Sequence, residues 1–435
     1  MIGLRGWRSQ ERGGSNPPFR ISAYNSAVIG RAFAVLVLAL GVTVLAAPQL
    51  TERPLPSGAL NHPSIHYFTR ATTDPVARLN ARLADGSASL SFDPQNGYLR
   101  SILTALHVPI ESQMLVMSKT GVQALHTGPT NPRAIYFTDD VTVGYIRGAP
   151  LLEFAVQDPE QGVIFYTLDQ KPQDHPTFER PKACLQCHFV YSTLHVPGML
   201  ARSVFTAPDG LAMGQFGSYD ADDRTPFNRR WGGWYVTGTH GAMRHMGNAV
   251  VVDREDRESG ISDRTLNRTS LEGFFDPASY PSTHSDIVAL MVFQHQAHMT
   301  NLITRVGWET RITGAVPKDS VDELVDYMVF ANEVPLPSPI AGTSGFAEMF
   351  AAQGPRDRRG RSLRDLDLQR RLMRYPCSFM VYSPAFRALP HETRDAIFER
   401  VFARLAEPDR TTVAEILRDT LSEPTGLVVV KFRSP

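Results

Sequence analysis

Five consecutive residues constrain this chain more than any others: Cys184-Leu185-Gln186-Cys187-His188. Two thiols two residues apart can each reach one vinyl group of a porphyrin. The histidine that follows directly then sets an imidazole nitrogen under the iron, so C-x-x-C-H is the attachment pattern of a c-type haem. Other chemistries also use paired thiols. A thioredoxin-like dithiol normally opens a helix after a strand. Here a loop carrying Pro172, Pro176 and Pro181 precedes the motif, and Phe189 and Tyr191 follow it. A zinc knuckle needs a second ligand pair at suitable spacing, which two of the chain's histidines could supply only from scattered positions. The spacing therefore predicts one covalent haem on Cys184 and Cys187, with His188 as the first axial ligand.

Covalent haem requires export, and the N-terminus supplies a signal for it. Residues 32–47, AFAVLVLALGVTVLAA, form an apolar run behind Arg31, with no acidic residue between Arg12 and Glu52. Val44-Leu45-Ala46 is a small-residue cleavage pattern, which predicts a signal peptide over residues 1–46. The run is shorter than the roughly 20 residues a membrane span needs; an uncleaved N-terminal anchor is the alternative, and the only membrane contact expected. Residues 1–27 are longer than an ordinary charged leader, and a true start at Val28 would make the leader ordinary. The location expected is the periplasm. The third cysteine, Cys377, lies in the apolar run of residues 375–382 and is expected to be a buried small hydrophobe.

Lys plus Arg and Asp plus Glu number 44 each, so no basic field exists to attract nucleic acid. At 435 residues the chain is too long for a minimal cytochrome. Residues 47–86 look like a tether, with a short helix at 76–84. From 87 to 170 the pattern is strand-like: runs at 134–138, 141–147, 151–157 and 162–168, separated by Asp, Gly and Pro, predict an antiparallel meander. Short strands are expected at 234–238 and 249–252. Residues 285–305 are long, apolar and free of Gly and Pro, hence helical. Ser320-Val321-Asp322-Glu323 has the form of a capping box that opens a helix to about residue 332. A linker at 335–345 follows, then an Arg-rich stretch within residues 355–374 expected as an ion-paired helix. Helices at 391–406 and 411–421 and a strand at 426–432 complete the chain. The fold class is α+β. A meander-rich N-terminal half holds the haem-binding segment, within an α+β body over 87–334, and a helical C-terminal region spans 346–435.

A six-coordinate iron needs a second ligand, usually Met or His. His240, His245 and Met246 lie in a segment dense in Trp, Gly, His and Met, beside Trp231 and Trp234. They are the first candidates, with His240 and His245 ahead of Met246. His295 is the outlying one; it shares a helix face with His298. Met199 would demand a tight loop. Asp220, Asp222 and Asp223 form an acidic cluster expected in a solvated loop.

Several stretches together carry a resemblance: Ser118-Lys119-Thr120, Tyr136-Phe137-Thr138-Asp139-Asp140, VIFYTL at 163–168, the CLQCH motif, RWGGWYVTGTHG at 230–241 and SDIVALMVFQHQ at 285–296. In these the chain resembles a family of large exported bacterial proteins with a single-haem cytochrome c domain. The resemblance supplies no reaction and no second ligand; it implies that the haem segment belongs to one integrated body. The function expected is electron transfer with a donor or acceptor protein or a small redox molecule. The alternatives are a haem-dependent oxidoreductase of peroxidase type and a haem-based sensor or binding protein. The β meander, through Tyr136, Phe165 and Tyr166, and the helix at 285–305, through Met291 and His295, are expected to cover the haem.

Overall fold

The four β runs read from the sequence form strands, and a fifth short strand joins them. In the computed structural model, which describes Leu55 and residues 58–421, they are β1 (Met114–Val116), β2 (Arg133–Phe137), β3 (Val141–Tyr145), β4 (Leu151–Asp158) and β5 (Gly162–Asp169). They pair antiparallel in sequence order, with Val143 opposite Phe154 and Phe154 opposite Tyr166. Successive side chains point to opposite faces of a sheet. One face presents Tyr136, Val143, Phe154 and Tyr166 to a core that also contains Ile65, Tyr67, Leu79 and Leu99. The other presents Met114, Ile135, Phe137, Val163 and Phe165 to a second, larger core. Between the apolar edges of that second face lie Thr142, Gly144, Glu153 and Ala155, which are small or polar.

The first core takes in residues expected to form a tether. Ala59, Ile65 and Tyr67 are buried in it, and helix α1 (Pro75–Ala84) starts on Asp74, whose Oδ1 accepts from the amides of Val76 and Ala77. The other carboxylate oxygen accepts from the Tyr166 hydroxyl at 2.7 Å, which ties the helix to β5. Apolar residues spaced among the prolines, not visible as a periodic pattern, make this segment part of the fold. Helix α2 (Leu99–Ala105) completes that layer.

The second core is organised by α4 (Ile287–Thr313), which follows the motif turn α3 (Leu185–His188) and the hairpin β6 (Arg202–Val204) and β7 (Ser218–Asp220). Helix α4 is buried nearly all round, as a helix apolar on every side must be. Its N-cap is Asp286, and the other oxygen of that carboxylate accepts from the amides of Thr343 and Ser344. No helix of the described residues is long and apolar enough to cross a membrane. Around α4 pack α5 (Lys318–Met328), α6 (Phe346–Ala352) and α7 (Pro384–Arg387); α8 (His391–Arg404) packs on α5, and α9 (Asp409–Thr420) contributes to the same core. The packing has no break between 334 and 346: Phe346 contacts Phe137, and Phe350 contacts Phe379. The body and the C-terminal helices share one core. The architecture is α+β.

Several local expectations change. Helix α5 begins after Pro317, so Ser320 lies inside its first turn and forms no capping box. The segments at 234–238 and 249–252 make only isolated bridges, Trp234 to Val116 and Thr237 to Asp286, or none. The Arg-rich stretch is ion-paired but not helical, since Gly354, Pro355 and Gly360 interrupt it. Its arginines reach carboxylates on other elements: Arg359 and Arg361 to Glu415, Arg364 to Asp139, Arg371 to Glu333. The expected signal peptide (1–46) and the strand at 426–432 lie outside the described residues.

Candidate haem-attachment site

After β5 the chain loops back, with Glu179 bridging to Thr167, and enters the motif through a 3-10 turn, Lys182–Cys184. Both motif thiols are free; Cys184 is half-buried and Cys187 exposed. Burial, and then the Glu153 carboxylate, push the Cys184 thiol up. Cys184 and Leu185 pack on the larger core.

His188 is oriented from behind. Its Nδ1 lies 2.9 Å from the carbonyl oxygen of Gly198. A carbonyl can only accept, so Nδ1 carries the proton and Nε2 keeps the lone pair. Burial above all, with help from Arg133 and Arg202, lowers the imidazole's proton affinity, which keeps it neutral as a metal ligand must be. The Phe165 ring of β5 lies 4.8 Å from the imidazole, tilted at 44°. Tyr136 and Tyr166, expected beside it, face the other core, because side chains alternate along a strand.

The Gly198 carbonyl is held by a tightly built loop. Leu194 and His195 are consecutive left-handed residues (φ 57° and 55°), sparsely populated for non-glycine residues and sustained by surrounding contacts. The Thr193 hydroxyl bridges to the carbonyls of Val190 and Val196. Pro197 O accepts from Val163 N on β5, and Gly198 N donates to His188 O at 3.0 Å. From α4, Asn301 clamps the next residue: Oδ1 accepts from Met199 N at 2.9 Å, and Nδ2 donates to Met199 O at 2.7 Å. Position 198 must be glycine, because a Cβ there would lie 2.2 Å from Asn301 Oδ1. Sequence reasoning missed Gly198 and Asn301. The available signal was an Asn in mid-helix, a poor helix former, three residues beyond His298.

The four candidate second ligands are engaged elsewhere. His240 and His245 are buried and face one another, Nε2 to Nε2 at 3.1 Å. His245 Nδ1 accepts from Gly247 N, so His245 donates through Nε2. His240 Nε2 also accepts from Asn267 N at 2.9 Å. Burial holds both neutral, His245 down at about 3. The sulfur of Met246 accepts from the Ser203 hydroxyl inside a small cluster with Phe205 and Met213. Both ring nitrogens of His295 are bonded, Nδ1 to Asp223 at 2.5 Å and Nε2 to Ser378 at 2.7 Å, while Tyr327 and Phe330 stack on the ring. Among the described residues, none of the four makes a hydrogen bond or ring contact with His188. The sulfur of Met199 accepts from the Thr142 hydroxyl.

The acidic cluster is not simply solvated. Asp223 is buried on His295, and Asp222 pairs with Arg224, which reaches His298 Nε2 at 3.1 Å. Asp223, His295 and Ser378 have the order of a nucleophilic triad. Yet His295 and Ser378 are wholly buried, and the Ser378 oxygen also accepts from Met380 N. The trio is a structural relay between α4 and the segment before α7. Cys377 beside it is buried, as expected, with its thiol pushed up to about 12. Among the described residues no group of three or more His, Cys, Asp or Glu is arranged to hold a metal ion. What remains at the motif is two free thiols and one neutral imidazole with an unshared Nε2. Compared with known protein families, with curated proteins and with solved structures, the chain matches none.

Proposed function

We propose that this chain is an exported, periplasmic c-type cytochrome that carries one haem on Cys184 and Cys187, with His188 as axial ligand, and transfers electrons. The observation that carries the reading is the Nδ1 hydrogen bond of His188 to the Gly198 carbonyl. Metal-ligating histidines almost always donate their other ring N–H to a backbone carbonyl or carboxylate, which fixes tautomer and orientation. Two free thiols precede this histidine at the required spacing. A bound haem would supply one-electron chemistry at a potential set by ligands, burial and hydrogen bonds. The chain's own part is to hold the imidazole neutral and aimed, and to pack Phe165 against it. The donor or acceptor would be a protein or a small redox molecule.

A second reading has a specific observation in its favour. His240, His245, Met246 and His295 all have other partners, which favours an open sixth position. That suits a haem-dependent oxidoreductase of peroxidase type, or a sensor of small ligands. The test uses protein made in a host that matures c-type cytochromes. A pyridine haemochrome spectrum should give one haem per chain, with attachment impaired in Cys184→Ala and Cys187→Ala. Colourless protein sinks the proposal. Carbon monoxide then separates the readings: rapid binding to the reduced protein supports the enzyme or sensor, and none supports the six-coordinate carrier.

A further inference from the structure

The hydrogen bond behind His188 does not end at Gly198. The peptide whose C=O accepts from His188 Nδ1 is the Gly198–Met199 peptide, and the N–H of that same peptide donates to Asn301 Oδ1. The two bonds therefore lie in series through one amide plane: imidazole N–H to carbonyl, amide N–H to side-chain oxygen. Hydrogen bonds in such chains polarise one another. An amide that donates through its nitrogen carries more negative charge on its oxygen and accepts more strongly. A stronger bond at Nδ1 makes Nε2 a more basic ligand.

We infer that Asn301 is a positioning residue for His188, tuning the iron's potential through the Gly198–Met199 peptide; this rests on the haem reading. The placement argues for the role. Asn301 is 1% exposed in the middle of α4, where an Asn side chain costs helix stability. Both ends of its amide are used on Met199. The clamp excludes every residue but glycine at 198, where a Cβ would also lie 3.1 Å from Thr193 Cβ. One side chain thus joins the central helix to the loop that aims the axial ligand. A more basic axial nitrogen favours ferric over ferrous iron, so the clamp lowers the potential.

The test compares the haem-loaded protein with Asn301→Ala, which removes the acceptor, and Asn301→Asp, which keeps an oxygen on Met199 N–H. Gln157→Leu is the control; it removes a buried bond to Thr304 on the same helix without touching the chain to His188. Asn301→Ala should shift the equilibrium roughly tenfold toward the reduced form, about 59 mV upward for one electron. Asn301→Asp should stay at or below the wild-type potential, and Gln157→Leu should alter the urea midpoint alone. A folded Asn301→Ala at the wild-type potential overturns the inference, as does an equal rise in Gln157→Leu. Should Asn301→Ala not fold, the wild type carries the test: the Met199 amide must exchange with deuterium as slowly as those of α4, and fast exchange overturns it. A colourless wild type instead overturns the haem reading, and the inference with it.

Discussion

Replacing Gly198 with Ala puts a methyl group where the fold has no room. The new Cβ would stand 2.2 Å from Asn301 Oδ1 and 2.9 Å from its Cγ, and real Cβ contacts essentially never fall below 3.0 Å. Asn301 is not a loose surface side chain that can swing aside; it is buried and bonded twice to Met199. Overpacking of this kind costs about 1–3 kcal/mol. If Asn301 yields, two hydrogen bonds worth about 1 kcal/mol each are lost, and an unpartnered buried amide adds about 1–3 kcal/mol. These outcomes compete rather than sum in full, so the expected loss is about 3–4 kcal/mol, near the top of the range for single substitutions. The assay is urea unfolding at pH 7 followed by far-ultraviolet circular dichroism, with the slope unchanged. The same substitution in an Asn301→Ala background, where the nearest obstacle is gone and only the 3.1 Å approach to Thr193 Cβ remains, should cost at least about 1 kcal/mol less than in the wild type, because neighbours that share a contact are not additive. A Gly198→Ala cost that is the same in both backgrounds would refute the clamp.

Acid should weaken the fold before carboxylates are protonated. Burial lowers His298 from 6.5 to about 4 and His245 to about 3. Between those values and 6.5 the unfolded chain binds more protons, so stability is complete above pH 6.5 and falls as pH drops toward 4. For His298 the loss by pH 4.5 is about 2–3 kcal/mol, and His298→Gln should flatten that part of the urea-midpoint profile; an unchanged slope counts against it. Asp223→Ala strips the partner from buried His295 and should cost about 3 kcal/mol with haem content unaltered. Ser378→Ala should cost about 1 kcal/mol, and a thermal scan in which both variants match the wild type would remove the relay's structural role. A thiol reagent should find no reactive cysteine in the native haem protein and one, Cys377, after unfolding; three would mean that Cys184 and Cys187 carry no haem.

The parts of this protein legible in its sequence are those in which neighbours along the chain do the deciding. Strand limits at β2 to β5 follow from short β-branched and aromatic runs broken by Asp, Gly and Pro, and the structure keeps them within about two residues. The motif is local in the same sense, since thiols and imidazole are set by a spacing of three and one. Helix α4 announced itself by composition, although its 27 residues run past the point where the apolar pattern thins out. What the spacing of residues leaves open is which side chains meet across long stretches of chain. His295 was legible as a polar group on an apolar helix, but its partners, Asp223 and Ser378, lie 72 and 83 positions away. His240 and His245 looked like ligands because ligand-capable residues crowd that segment; in the fold they share a hydrogen bond, and amides of Gly247 and Asn267 donate to them. Asn301 meets Met199 across 102 positions, so nothing near either residue marks the pair. Buried polar groups must find partners wherever the packing brings them, and that choice belongs to the tertiary structure, because desolvation makes any unpaired group costly while the chain's local pattern says only that the group will be buried.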